Sequence, residues 1–307
     1  MQEEGAGLAQ VAFVRSGDRV EGVRRALALL AEEEFGGQNV LLKPNFNSAH
    51  TTPGSTHNDV LRTLVQELGE RGARSITVGD RSGMGATRQV MEQKGVFAMA
   101  GELGFETVVF DELDEEQWVR MQPPGSHWQA GFPFARPVLE ADAVVQTCCL
   151  KTHRFGGHFT MSLKNSVGMV AKQVPGDSHD YMQELHGSPY QRLLIAEMNT
   201  AYTPALIVLD GVEALVSGGP DSGKRVQAEV VLAGTDRVAI DAVGVAVLRH
   251  WGTTPEVQDG PIFQQQQIAR AAELGLGVDG PQKIHLVTDD AESESYAAKI
   301  REVLARG

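Results

Sequence analysis

Reactive side chains crowd into three short stretches of this chain. The first, Lys43-Pro44-Asn45-Phe46-Asn47, runs on into Thr51-Thr52-Pro53-Gly54-Ser55-Thr56-His57 and gathers a cation, two amides, several hydroxyls and an imidazole. Such donors ahead of a helix suit an anion. They also suit plain structure, with Thr56 or Asn58 capping the helix and Pro44 and Gly54 shaping turns. Capping does not account for Lys43 at a strand end, so Lys43, Asn45, Asn47, Thr56 and His57 are candidates for substrate binding. The second stretch, Gly79-Asp80-Arg81-Ser82-Gly83-Met84-Gly85, follows another strand. It matches a dinucleotide-binding turn only in part, because from Gly83 the spacing demands glycine where Arg88 stands. A tight turn with Asp80 and Ser82 facing a cleft is the simpler expectation.

The third stretch is the densest. Cys148-Cys149-Leu150-Lys151-Thr152-His153 leaves an expected strand, followed by Gly156-Gly157-His158 and Ser162-Leu163-Lys164-Asn165. Four of the nine histidines, His153, His158, His179 and His186, fall between positions 153 and 186. Imidazole is a common metal ligand near neutral pH, and His153, His158, His179 and Asp210 form a candidate set for a divalent metal whose identity the spacing does not specify. The alternative is that these histidines contact an anionic substrate or sit on polar loops. Lys151 and Lys164 can neutralise a carboxylate or phosphate, or transfer protons if desolvation lowers a pKa. With His153 they are the catalytic candidates, and Asn165 joins the substrate-binding set.

Adjacent Cys148 and Cys149 are expected to split into one packed and one outward thiol. They exclude a disulfide framework and a built-in iron–sulfur cluster within this chain. Gly218 to Lys224 fits the G-x-x-x-x-G-K part of a phosphate-binding loop, but Arg225 replaces the required Ser or Thr and a strand follows, so a lid over the cleft is the better use of these glycines. Asp241, in an apolar helix, is a structural anchor or part of the site; Asp210 ends a strand, where it could meet a ligand or form a turn.

The elements that must position these groups alternate. Strands are expected at Val11 to Val14, Val40 to Leu42, Ser75 to Val78, Thr107 to Phe110, Ala143 to Thr147, Leu206 to Leu209, Glu229 to Leu232 and Ile284 to Val287. Helices fall between them, among them Val20 to Glu34, Asp59 to Arg71, helical segments near Arg88 to Leu103, Tyr190 to Tyr202, Arg237 to His250, Phe263 to Leu274 and Glu292 to Ala305. Such alternation predicts an α/β protein with a mainly parallel, doubly wound sheet in a first lobe (1–137), a second α/β lobe (138–307), and a site in the cleft between them. A hairpin or inter-lobe excursion is expected between Asp111 and Pro137. The 307 residues include 34 glycines, with a net charge of −13. That charge opposes nucleic-acid or anionic-membrane partners and favours a small molecule. Glu3 and Glu4 without a basic start, and no long apolar run, point to a cytoplasmic protein.

In combination, Lys43-Pro44-Asn45, Thr56-His57, Val78-Gly79-Asp80, Lys151-Thr152-His153, Leu163-Lys164-Asn165, Asp210-Gly211, Gly219-Pro220 and Asp236-Arg237-Val238-Ala239-Ile240-Asp241-Ala242 resemble, over about residues 38–250, the domain-of-unknown-function 362 family (DUF362). That resemblance implies partnership with ferredoxin-type iron–sulfur modules, a redox role. A fainter similarity is to the nickel-pincer lactate racemase family, in which two histidines bracket a cofactor-anchoring lysine; it would give His153, Lys164 and His179 those parts. The residues themselves favour a metal-assisted enzyme, of isomerase or lyase type, acting on a small anionic metabolite. A redox enzyme using a separate flavin or iron–sulfur protein, and a noncatalytic metabolite-binding module, are the alternatives.

Overall fold

A computed structural model describes residues 7–30 and 35–307; Glu3, Glu4 and Glu34 lie outside them. Eleven strands are present among the described residues: β1 (Ala9–Arg15), β2 (Asn39–Lys43), β3 (Ser75–Asp80), β4 (Glu106–Val109), β5 (Trp118–Met121), β6 (Phe132–Ala135), β7 (Ala143–His153), β8 (His158–Phe159), β9 (Leu206–Gly218), β10 (Gly223–Gly234) and β11 (Ile284–Val287). Nine form one sheet in the order β11-β1-β10-β9-β7-β2-β3-β4, with β8 on β7, while β5 and β6 make the separate hairpin expected after Asp111. Neighbours from β9 through β7, β2 and β3 to β4 are parallel. β10 runs against β9 and β1 because a tight hairpin joins it to β9. The expected mainly parallel α/β architecture is present. The soft boundary at Pro137 falls within the short helix Arg136–Glu140, and the sheet continues across it through β2 and β7.

Alternation along the strands feeds two apolar layers, one on each face. Val11 and Phe13 of β1 join Val144, Leu150, Leu209 and Leu232 under the helix Arg237–His250. Ala12 and Val14 join Leu42, Val78, Val145 and Val208 under the helices Arg19–Ala28 and Asn58–Glu70. Covering on both faces explains why the two thiols do not divide into inner and outer: Cys148 and Cys149 are both buried. Burial pushes both thiols up from their ordinary range.

Element ends differ from expectation in several places. The first helix ends at Ala28, short of Glu34. The helical segments expected near Arg88 to Leu103 are two helices, Thr87–Gln93 and Val96–Leu103, separated at Gly95, whose φ of 69° breaks the first. β7 and β9 run far past Thr147 and Leu209, so Lys151, His153 and Asp210 are strand residues rather than loop residues. No described helix is long and apolar enough to cross a membrane.

Candidate functional site

Winding outward from β2, the chain builds β3 and β4 on one side, then returns to lay β7 and β9 on the other. The carboxyl ends of β2 and β7 therefore flank the crevice where strand order reverses, the place in an open α/β sheet that no crossover helix fills. A pocket opens there, with a cavity volume of ≈ 40 Å³. Lys43 ends β2, Asp80 ends β3 and Lys151 and His153 end β7; Lys164 and Asn165 arrive from the short helix Ser162–Asn165, and Pro220 from the hairpin tip.

At its floor Lys43 and Asp80 form an ion pair of 2.7 Å with both side chains almost wholly buried. Asp80 also accepts from the Phe46 and Arg81 amides at 2.6 and 2.7 Å, while Lys43 donates to the Pro44 carbonyl at 2.6 Å and to Asn165 Oδ1 at 3.0 Å. Burial pushes the Asp80 carboxyl up and the Lys43 amine down, and their contact opposes both shifts. Gly168 is required here: a Cβ at that position would stand 2.4 Å from Asp80 Oδ1 and 2.7 Å from Lys43 Nζ.

Arg81, buried beside this pair, spends its guanidinium on the carbonyls of Val170 (2.9 Å), Ser82 (3.3 Å) and Val167. It contributes positive charge while fixing the segment after Lys164. Lys151 Nζ donates to the Gly54 carbonyl at 2.6 Å, which leaves donors free. Lys164 is 9% exposed and has no hydrogen bond or ion pair among the described residues. Burial, then the charges of Arg81 and Lys151, lower its pKa from 10.5 to about 7. His153 is held neutral by burial first and by the nearby positive charge of Lys164 and His186 second. Its Nδ1 accepts from the Gly157 amide at 3.3 Å. The Asn47 side-chain Nδ2, buried at the pocket wall, has no partner.

The helix that carries Lys164 is positioned from the far side of β7. Asp241 accepts from the Ser162 and Leu163 amides at 2.7 and 3.1 Å, serving as their missing acceptor from another helix. It is thus the anchor foreseen for it, and desolvation raises its pKa to about 7.

Of the residues read from the sequence, Lys43, Asn45, Asn47, Asp80, Lys151, His153, Lys164 and Asn165 meet around this pocket. Thr56 does not reach it: its hydroxyl clips the Asn45 amide at 2.8 Å. His57 is the cap of the helix Asn58–Glu70, accepting from Asp59 at 3.2 Å, a role expected of Thr56 or Asn58. Ser82 is fully buried behind the wall, its amide on Thr87 Oγ1 at 2.8 Å.

The four expected metal ligands do not assemble. His158 faces His153 across β8 and lines a neighbouring pocket with Thr254 and Glu256. His179 pairs through Nε2 with Glu184 at 2.7 Å in a separate groove. Asp210, inside β9, is neutralised by Arg19 at 2.9 Å. No group of three or more His, Cys, Asp or Glu side chains with metal-binding geometry occurs among the described residues. The His153–Lys164–His179 arrangement is likewise not formed, because His179 is held by Glu184 in the separate groove. Sequence reasoning missed Arg81, although its place directly after the strand-end Asp80 was a signal. It also missed Gly168, which nothing in the sequence marks out.

The thylakoid-associated protein sll1697 of Synechocystis sp. is 27% identical over 218 residues, 69% of this chain, which spans 64% of that relative's length. Among solved structures, the lactate racemase apoprotein from Thermoanaerobacterium thermosaccharolyticum aligns over 94% of this chain and 85% of its own, with a TM-score of 0.49 and 13% identity. The family model described as Domain of unknown function (DUF362) matches residues 40–246, which include β2, β3, β7 and the helix Ser162–Asn165. The chain belongs to that family.

Proposed function

We propose that this chain is an enzyme that takes a small metabolite bearing a carboxylate or phosphate into the pocket between β2, β3 and β7, with Lys164 as the group that moves a proton. One observation carries the reading: four cationic side chains, Lys43, Arg81, Lys151 and Lys164, line the pocket with one carboxylate, Asp80, which Lys43 already occupies. Unused donors point the same way. Lys151 keeps N–H groups beyond its bond to Gly54, the Asn47 amide nitrogen has no partner among the described residues, and neither does the mostly buried Lys164 amine. A ligand rich in acceptors would relieve the cost of burying those groups.

A lysine whose ammonium form gives up its proton near pH 7, rather than 10.5, accepts and returns protons at neutral pH. Lys151 and the Asn47 amide would hold the anion while Lys164 exchanges a proton at the carbon beside it, chemistry of isomerase or lyase type. Gly157 matters to access, since a Cβ there would stand 3.2 Å from Lys164 Cε and 2.7 Å from His153 Nδ1. Titration calorimetry with inorganic phosphate and with lactate tests the reading. Lys151→Met and Lys164→Met should each weaken binding about tenfold, the worth of one charge-assisted hydrogen bond. Unchanged affinity in both variants would overturn it.

A further inference from the structure

The three pocket lysines are not alike in their surroundings. Lys43 is committed to Asp80 and Lys151 to the Gly54 carbonyl, whereas no acceptor among the described residues holds the Lys164 amine. A lysine placed only to bind an anion gains from keeping its proton. Lys164 is instead desolvated among like charges, the setting that turns an amine into a nucleophile. Its backbone is fixed by Asp241 and its neighbour Asn165 is locked to Lys43, so the amine is presented from rigid support.

We propose that Lys164 acts covalently, its amine condensing with the carbonyl carbon of a 2-oxo acid whose carboxylate is held by Lys151 and the Asn47 amide. This rests on the anion-binding reading above and names the substrate class for it. The nitrogen lone pair forms the new C–N bond and the carbonyl π pair moves to oxygen, which takes one proton shed by the nitrogen. The resulting hydroxyl leaves with the nitrogen's second proton, so amine and carbonyl become imine and water, with no other reactant. His153 stands beside the reacting group: a Cβ on Gly157 would touch both His153 and the Lys164 stem. Because its Nδ1 accepts from Gly157, the neutral ring carries its proton on Nε2, a donor for the oxygen as it becomes hydroxyl.

Borohydride reduction tests this. The full chain is mixed separately with glyoxylate, pyruvate and 2-oxoglutarate, reduced with sodium borohydride, digested and mapped by mass spectrometry, with calorimetry of the same acids and of lactate and phosphate alongside. The expected result is a secondary amine carrying the substrate carbons on Lys164. The adduct should be absent from Lys164→Arg shown to be folded by its thermal transition, and lowered in yield but still on Lys164 in Asn47→Ala. Adducts scattered over surface lysines, or none with any of the three acids while calorimetry records binding, would overturn the covalent step and leave the anion site standing. No adduct together with no binding of any of these anions would remove both.

Discussion

Burial treats the pocket's ammonium groups differently, and the partner each one meets decides the outcome. Lys43 shares its desolvation with Asp80 at 2.7 Å, whereas the charges acting on Lys164 among the described residues are positive, those of Arg81 and Lys151. Its pKa of about 7 in the fold, against 10.5 ordinarily, means the folded chain binds fewer protons than the unfolded chain between those values. Stability contributed by this residue therefore rises with pH from about 7 to 10.5, and Lys164→Met should flatten that part of a denaturation profile. A bound anion acts in the opposite sense by favouring the ammonium form. Phosphate binding near pH 8 should thus take up protons, seen as a buffer-dependent heat, and the uptake should vanish in Lys164→Met. Equal uptake in both proteins would show that another group titrates.

The short helix Ser162–Asn165 has too few turns to hold itself in place. Asp241, from a helix buried at every position except His250, supplies the acceptor for its first amides. Replacing Asp241 with Ala strands two buried donors and should cost about 1–3 kcal/mol in chemical denaturation. Asp241→Asn, which retains one acceptor oxygen, should cost less, and equal stability of all three proteins would contradict the anchoring role. Element ends were also where the sequence was hardest to read. Helix Arg237–His250 and β11 match their expected ranges, because apolar pattern and caps agree there. β7 was expected to stop at Thr147, since Lys151-Thr152-His153 looks like a loop when polarity is read as exposure. Those side chains are buried because they wall a pocket. Asp210 misled in the same way, its charge being met by Arg19, 191 positions away in sequence. The expected four-ligand set did not form for a related reason: closeness along the chain left His153 facing His158 but put His179 in a separate groove on Glu184, while Asp210 met Arg19.

One sheet carries strands from both halves of the chain, and its middle is covered on both faces. That arrangement gives the adjacent thiols a global meaning. Cys148 and Cys149 sit on β7 between β2 and β9, so exposing either requires opening the centre of the sheet. Both should resist a thiol reagent in the native protein and react together, at a rate tracking global unfolding across a urea series. Reaction of one thiol under native conditions would mean that β7 opens locally.

The β9–β10 hairpin runs beyond the sheet, and its tip brings Pro220 to the pocket mouth while Arg154 grips Gly219 and Asp221, each at 2.8 Å. One rim of the entrance is therefore built from a turn that bears none of the lysines. Lengthening or trimming that turn offers a way to retune which molecules are admitted, with the pocket's lysines left untouched, as a keyhole can be recut without changing the lock.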